Sequence, residues 1–226
     1  MSDKKPELQT LCLVVGELQA NCFLLWKKDS KEALVFDPGG DADRIQEELK
    51  KRDLEPAGLL LTHAHCDHIA ALSDLKKALP NVPILVPEAE AESLTRPTLN
   101  LSYFICGSFS TPEADRQVKA NETFELGEVS LKALHCPGHS PGGTAYYVED
   151  PSGPPHLFCG DIIFCGSIGR GDLPGGEGEE ALIENIRKIL FKLPNETIVH
   201  PGHGPETTLG KEKGFNPICG VGTDIA

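Results

Sequence analysis

The sequence predicts an α/β fold in which strands deliver chemically active turns. Three observations support this. Short apolar runs alternate with turn residues through the first sixty positions, a long helix-periodic stretch lies near the end, and four apolar runs lead straight into turns carrying histidine or aspartate.

The strands and helices follow in order. Leu8–Val15 and Ala20–Trp26 are apolar, with Gly16-Glu17-Leu18-Gln19 as a hairpin turn between them. Ala33–Asp37 is a third strand, closed by the turn-forming Pro38-Gly39-Gly40. Asp41 is placed to cap a charged helix running to about Lys51, with Ile45 and Leu49 on its buried face. Gly58–Leu61 is an apolar strand ending at Thr62-His63-Ala64-His65-Cys66-Asp67-His68, and Ile69–Leu79 reads as the helix that follows. Pro83–Val86 is another strand. The polar stretch 88–122 reads as a helix and loops over one edge. Val129–His135, Gly143–Val148, His156–Cys159 and Thr197–His200 are strands, and Glu179–Phe191 is a helix with Leu182, Ile183, Ile186, Ile189 and Leu190 on one face. The chain beyond Pro201-Gly202-His203-Gly204 reads as a short tail. No repeat or linker divides it, so one domain over 1–226 is expected.

Composition narrows the function. Hydrophobic residues make up 39% of the 226, enough for a buried core, but the apolar runs fall short of the roughly 20 residues a membrane span requires. The polar segment 1–7 runs into a strand without the apolar stretch of a secretory signal, which points to a cytoplasmic protein. A formal charge of −13 argues against nucleic acid or an anionic membrane as partner, because phosphate contacts need clustered Lys and Arg. The eight cysteines are scattered without Cys-x-x-Cys pairs, which is neither a disulfide framework nor a structural zinc site; most read as small buried hydrophobes.

The chemistry lies in four strand–turn segments: His63–His68, Pro137–His139, Gly160-Asp161 and Pro201–His203. Together they hold five of the eight histidines. In extended backbone His63 and His65 project from the same side and can converge on one metal. Asp67 and His68 follow the turn into a helix and can face a second. Asp161 is the natural carboxylate to bridge two cations. Imidazole and carboxylate donors suit zinc, with iron or manganese as alternatives. His135, His156 and His200 read as structural or supporting residues, and Cys66 points away from the His63/His65 side as a packing residue.

Thr62–His68 with His139, Asp161 and His203, in this order, resembles the metallo-β-lactamase superfamily over about Leu8 to Thr208. The resemblance implies an αββα sandwich with the site at one edge of both sheets. It implies two divalent metals per chain, one at His63, His65 and His139 and one at Asp67, His68 and His203, bridged by Asp161. Three further segments, Gly16…Asn21-Cys22-Phe23-Leu24, Asp37–Gly40 and Ser167–Gly176, are similar to short bacterial glyoxalase II-like hydrolases. The implied activity is hydrolysis of a small-molecule thioester, S-lactoylglutathione or a related 2-hydroxyacyl thioester, by a metal-bridging hydroxide, with Asp67 orienting it or accepting its proton. β-Lactamases of the superfamily lack the bridging aspartate. The C-terminal extension with which full-length glyoxalase II holds glutathione has no counterpart after His203, where only Lys211 and Lys213 supply positive charge. The alternative within the same resemblance is a persulfide dioxygenase with one iron on His63, His139 and Asp161.

Overall fold

Strand β2 is apolar at nearly every position because both of its faces are covered. In the computed structural model, which describes residues 8–222, Cys22 and Leu24 of β2 pack toward helices while Phe23 and Leu25 pack toward a second sheet. The polar segment 1–7, on which the absence of a leader was read, lies outside the described residues.

The first sheet contains β1 (Leu8–Val15), β2 (Ala20–Lys27), β3 (Glu32–Phe36), β4 (Glu55–Leu60), β5 (Ile84–Pro87) and β6 (Arg116–Val118) in that spatial order. It is antiparallel through β3 and parallel beyond it. The second contains β7 (Thr123–Leu126), β8 (Val129–His135), β9 (Thr144–Val148) and β10 (His156–Gly160). A separate hairpin of β11 (Ile163–Phe164) and β12 (Ser167–Ile168) follows, and β13 (Ile198–Pro201) and β14 (Thr207–Thr208) complete the second sheet in the order β14-β13-β10-β9-β8-β7. Phe36 of one sheet stacks on Phe158 of the other, with ring centroids 4.0 Å apart. Helices α1 (Ala42–Lys51), α2 (Cys66–Ile69) and α3 (Leu72–Ala78) accompany the first sheet, which Ile45, Leu49, Leu72 and Leu75 cover. After the short α4 (Ser102–Ile105), α5 (Glu179–Ile189) and α6 (Leu209–Phe215) cover the second sheet through Leu182, Ile186 and Leu209. The layering is the αββα sandwich. Among the described residues no helix is long and apolar enough to cross a membrane.

Four expectations are corrected. Asp41 stands before α1 but in left-handed backbone (φ 50°), and its carboxylate accepts from Gly16 N (3.0 Å) instead of capping the helix. The helix expected over Ile69–Leu79 is two pieces, because Ala71 N–H donates to the Pro38 carbonyl (3.0 Å) and leaves the helical ladder. The stretch 88–122 contributes a 3₁₀ helix (Glu88–Thr95), α4 and also a strand, β6, that extends the first sheet. The expected tail folds into β14 and α6, whose start is capped by the Thr208 hydroxyl accepting from Lys211 N.

Candidate metal centre

His63, His65, His139, Asp161 and His203 lie in turns that follow strands, Asp67 and His68 lie in α2, and the sandwich gathers all seven. Tyr146, on β9, donates its hydroxyl to the Leu61 carbonyl (3.0 Å), while Thr144 N donates to the Thr62 carbonyl (3.0 Å). These bonds fix the end of β4, and with it His63 and His65, against the second sheet. His139 projects from the turn between β8 and β9. Asp161 follows β10, and His203 follows β13, the parallel neighbour of β10. Gly202 N donates to the Gly160 carbonyl (2.8 Å), so the Asp161 and His203 turns are bonded to each other.

Two groups of three residues converge, each with ligand atoms within 4.8 Å of one another: His63, His65 and His139, and Asp67, His68 and His203. A third such group, Asp37, His63 and His68, overlaps both. Asp161 lies between the two main groups. Its Oδ1 is 3.3 Å from His68 Nε2, and its Oδ2 is 3.6 Å from His139 Nε2 and 3.7 Å from His203 Nε2.

Hydrogen-bond bookkeeping shows what this arrangement lacks. His139 Nδ1 meets the Arg170 carbonyl (2.8 Å), and His203 Nδ1 meets the Gln19 carbonyl (3.2 Å). A carbonyl only accepts, so both rings carry their proton on Nδ1 and present a lone pair at Nε2. Thr62 donates its hydroxyl to Asp37 Oδ2 (2.7 Å) and therefore accepts from His63 Nδ1 (3.1 Å), which leaves His63 Nε2 bare as well. His68 Nδ1 lies 3.1 Å from Asp37 Oδ2.

Acceptors consequently face acceptors. His139 Nε2 is 3.3 Å from His63 Nε2, and His203 Nε2 is 3.1 Å from Asp67 Oδ2; His65 Nδ1 lies 2.9 Å from His139 Nε2. Both ring nitrogens of His68, and Asp161 Oδ1, are buried without a hydrogen-bond partner. Cations satisfy this set. Donors on a tetrahedral metal with bonds of about 2.0–2.1 Å stand about 3.3 Å apart, close to the spacings seen.

Electrostatics divides the two groups. Burial, reinforced by neighbouring imidazoles, holds His63 well below the usual histidine range and pushes His65 down to about 3. His68 and His203 are raised instead: burial would lower both, but the carboxylates of Asp67 and Asp161 outweigh it. Burial would raise Asp67 and Asp161, and His68 and His203 hold both below the usual carboxylate range.

Four supporting residues escaped the sequence reading. The sequence places Asp37 at the end of a strand and in a segment of resemblance but gives it no role at the site; its Oδ1 accepts from Thr62 N (2.7 Å), and its Oδ2 accepts from the Thr62 hydroxyl (2.7 Å) and lies 3.1 Å from His68 Nδ1. With both oxygens so engaged it positions ligands, and Thr62 relays that order to His63. Asn21 donates to the carbonyls of Pro201 (2.9 Å) and Gly204 (2.8 Å), clamping the His203 turn on both sides. Glu90, buried beside the site, accepts from Ala64 N (3.3 Å) and Gly142 N (2.7 Å) and so joins two ligand-bearing loops.

Glu90→Ala leaves those two buried N–H groups unpaired. It is expected to cost about 2–4 kcal/mol in denaturant unfolding and to weaken metal binding about 10–100-fold in chelator competition. Unchanged values for both would show that Glu90 does not organise the loops.

The other histidines stay outside the two groups. His135 Nε2 meets the Pro141 carbonyl (3.1 Å), and His156 Nδ1 meets His200 Nε2 (2.8 Å). His200 Nδ1 in turn meets Glu206 (2.8 Å), three residues beyond His203. Cys66 is buried at the start of α2 and belongs to none of the metal-capable groups.

Residues 15–203 match the metallo-beta-lactamase superfamily. The hydroxyacylglutathione hydrolase GloC of Haemophilus influenzae is 35% identical over 213 residues, 90% of this chain and 94% of that protein. Among solved structures, the BLEG-1 B3 metallo-beta-lactamase is 38% identical with a TM-score of 0.87, covering 93% of this chain and 99% of its own. TTHA1623, solved in a di-iron-bound form, is 35% identical with a TM-score of 0.79, covering 92% and 98%. Relatives of nearly equal identity thus bear different activity names, and a relative named a lactamase returns β-lactams to the substrates that need testing.

Proposed function

The chain belongs to the metallo-β-lactamase superfamily, and from that premise we propose that it is a binuclear metal-dependent hydrolase of thioesters, S-lactoylglutathione or a related 2-hydroxyacyl thioester. The observation that carries the binuclear reading is the pair of three-residue groups with the Asp161 carboxylate lying between them. His63, His65 and His139 would hold one cation, and Asp67, His68 and His203 the other, with Asp161 common to both. The nitrogen and oxygen donors suit zinc, and iron or manganese equally in kind; a di-iron relative supports iron as an alternative.

Bound there, two cations supply an activated water at neutral pH and Lewis acidity toward a carbonyl oxygen. The chain's own groups do the rest. Asp67, partly exposed and kept ionised by its histidine neighbours, is placed to orient that water as a hydrogen-bond acceptor. Asp37, through Thr62, holds the His63 ring so that its bare nitrogen faces inward, and its Oδ2 lies against His68 Nδ1. The site-facing groups are acceptors, which suits a thioester. A thiolate, with a parent thiol pKa of about 8.5, leaves without a proton, whereas an amide nitrogen needs one.

The test is an anaerobic assay of the metal-loaded protein with S-lactoylglutathione, other acyl thioesters, a cephalosporin and glutathione persulfide. Thioester cleavage with release of free thiol, and no oxygen uptake with persulfide in a parallel aerobic run, is the expected result. Oxygen uptake without thioester cleavage by the iron-loaded protein would establish the single-iron dioxygenase, and cleavage of the cephalosporin alone would move the substrate class to β-lactams.

Acid should separate the two metals. Protons held by His68 and His203 compete with a cation as pH falls through the neutral and mildly acid range, whereas His63 and His65 take up none until far lower. Dialysis between roughly pH 7.5 and 5 should therefore remove one equivalent and retain the other. Loss of both at a single midpoint would contradict this division.

A further inference from the structure

His203 is the most open of the gathered residues, with 29% of its side chain exposed against 16% for Asp67 and 13% for Asp161. The other four imidazoles are buried. One hydrogen bond, from Nδ1 to the Gln19 carbonyl (3.2 Å), leaves the ring free to swing about that contact. Beside it stands the β11–β12 hairpin, which begins two residues after Asp161. Ile163 pairs there with Ile168, and Phe164 with Ser167. Side chains alternate between the faces of a strand, so Ile163 and Ile168 enter the core with Leu182 and Leu209 while Phe164 points the other way. Its half-buried ring meets the His203 imidazole edge-on, with centroids 6.2 Å apart and planes at 78°.

Helix α6, in the segment expected as a tail, holds this hairpin. The buried Glu212 accepts from Gly166 N in the hairpin turn (2.9 Å) and from Asn216 Nδ2 (2.8 Å), which also donates to the Ser167 carbonyl (3.0 Å). The other Glu212 oxygen accepts from the Thr207 hydroxyl (2.6 Å), four residues beyond His203. One carboxylate thus ties the loop after Asp161 to the loop after His203, as Glu90 ties Ala64 to Gly142.

On the reading that His203 holds a cation with Asp67 and His68, we propose that Phe164 and Glu212 are positioning residues for it. Glu212 fixes the hairpin turn, and Phe164, seated on that hairpin, braces the His203 ring so that Nε2 stays turned toward Asp67. A glutamine cannot replace the carboxylate. Glu212 receives three donors on two oxygens, whereas the amide keeps one oxygen and turns an NH₂ group against a donor.

The experiment compares the unaltered full chain with Phe164→Ala, Phe164→Leu and Glu212→Gln. Zinc is titrated in competition with a chromogenic chelator, and the imidazole signals of the metal-free proteins are recorded by heteronuclear NMR at alkaline pH. Phe164→Ala and Glu212→Gln should each weaken the second zinc equivalent about 10–100-fold while the first moves little, and Phe164→Leu should recover much of the loss. In the metal-free spectra the His203 Nδ1–H signal should shift or broaden in Phe164→Ala, while those of His63 and His65 stay in place. Because Phe164 is half-buried, its variants read the brace even if Glu212→Gln does not fold. Unaltered affinity for the second zinc in Phe164→Ala, or equal weakening of both equivalents, would overturn the proposal. An unaltered protein that takes up a single zinc would overturn the two-cation reading instead. The metal-free His203 signal then decides the brace, which an unchanged signal in Phe164→Ala overturns.

Discussion

Asp161→Ala is expected to empty both metal positions at once. Its Oδ1 lies toward His68 of one group, and its Oδ2 lies toward His203 of that group and His139 of the other, so on the proposed assignment neither cation would keep its full set once the side chain is removed. Elemental analysis should fall from about two equivalents to near zero after dialysis, and turnover should drop on the order of 10³-fold or more. The fold should survive, because Asp161 Oδ1 is buried with no hydrogen-bond partner and removing it leaves no donor stranded. A useful second readout follows from linkage: added metal should raise the melting temperature of the unaltered protein and leave that of the variant unmoved. A variant that retains both metals and near-normal turnover would exclude Asp161 as the shared ligand. A parent protein that stays near one equivalent after zinc, iron or manganese supplementation would exclude two metals.

Gly202→Ala should be nearly as damaging, although residue 202 offers no ligand atom. A Cβ there would stand 2.1 Å from Asp161 Oδ1 and 2.7 Å from His68 Cε1. The backbone cannot retreat, since Gly202 N is bonded to the Gly160 carbonyl and its own carbonyl accepts from Asn21 N (2.7 Å). Two ligands must therefore move. Overpacking of this kind costs about 1–3 kcal/mol, and the displaced donors should lower metal affinity and turnover by about 100-fold. Gly214→Ala, where a Cβ meets nothing within 4 Å, serves as the matched control and should be silent. Wild-type turnover and two bound metals in Gly202→Ala would show that the close approach is not required.

These residues also show what sequence can carry. His63, His65, Asp67 and His68 were legible because their spacing is itself the geometry. His139, Asp161 and His203 were legible only through the shared layout of strand followed by turn. Glu90 was not, because Glu88 and Glu92 flank it in an equally polar stretch, and only long-range packing against Ala64 and Gly142 singles it out. The break between α2 and α3 was hidden for the same reason: the competing acceptor, Pro38, lies on a different loop. Strand β14 has two residues, too few for any period to register.

The span of the centre along the chain bears on how the protein is made. Asp67 and His203 meet across 136 intervening steps of sequence, and Asn21 clasps Gly204 across 183. Contacts this distant close late, after the loops between them have been ordered. During synthesis the His63–His68 motif emerges with its partners still unmade, and a partial set of imidazoles and carboxylates is a weaker and less selective trap than the finished one. A cation that needs the full set of ligands would therefore bind only once the chain is nearly complete, and a nascent chain halted before β13 would expose half a site.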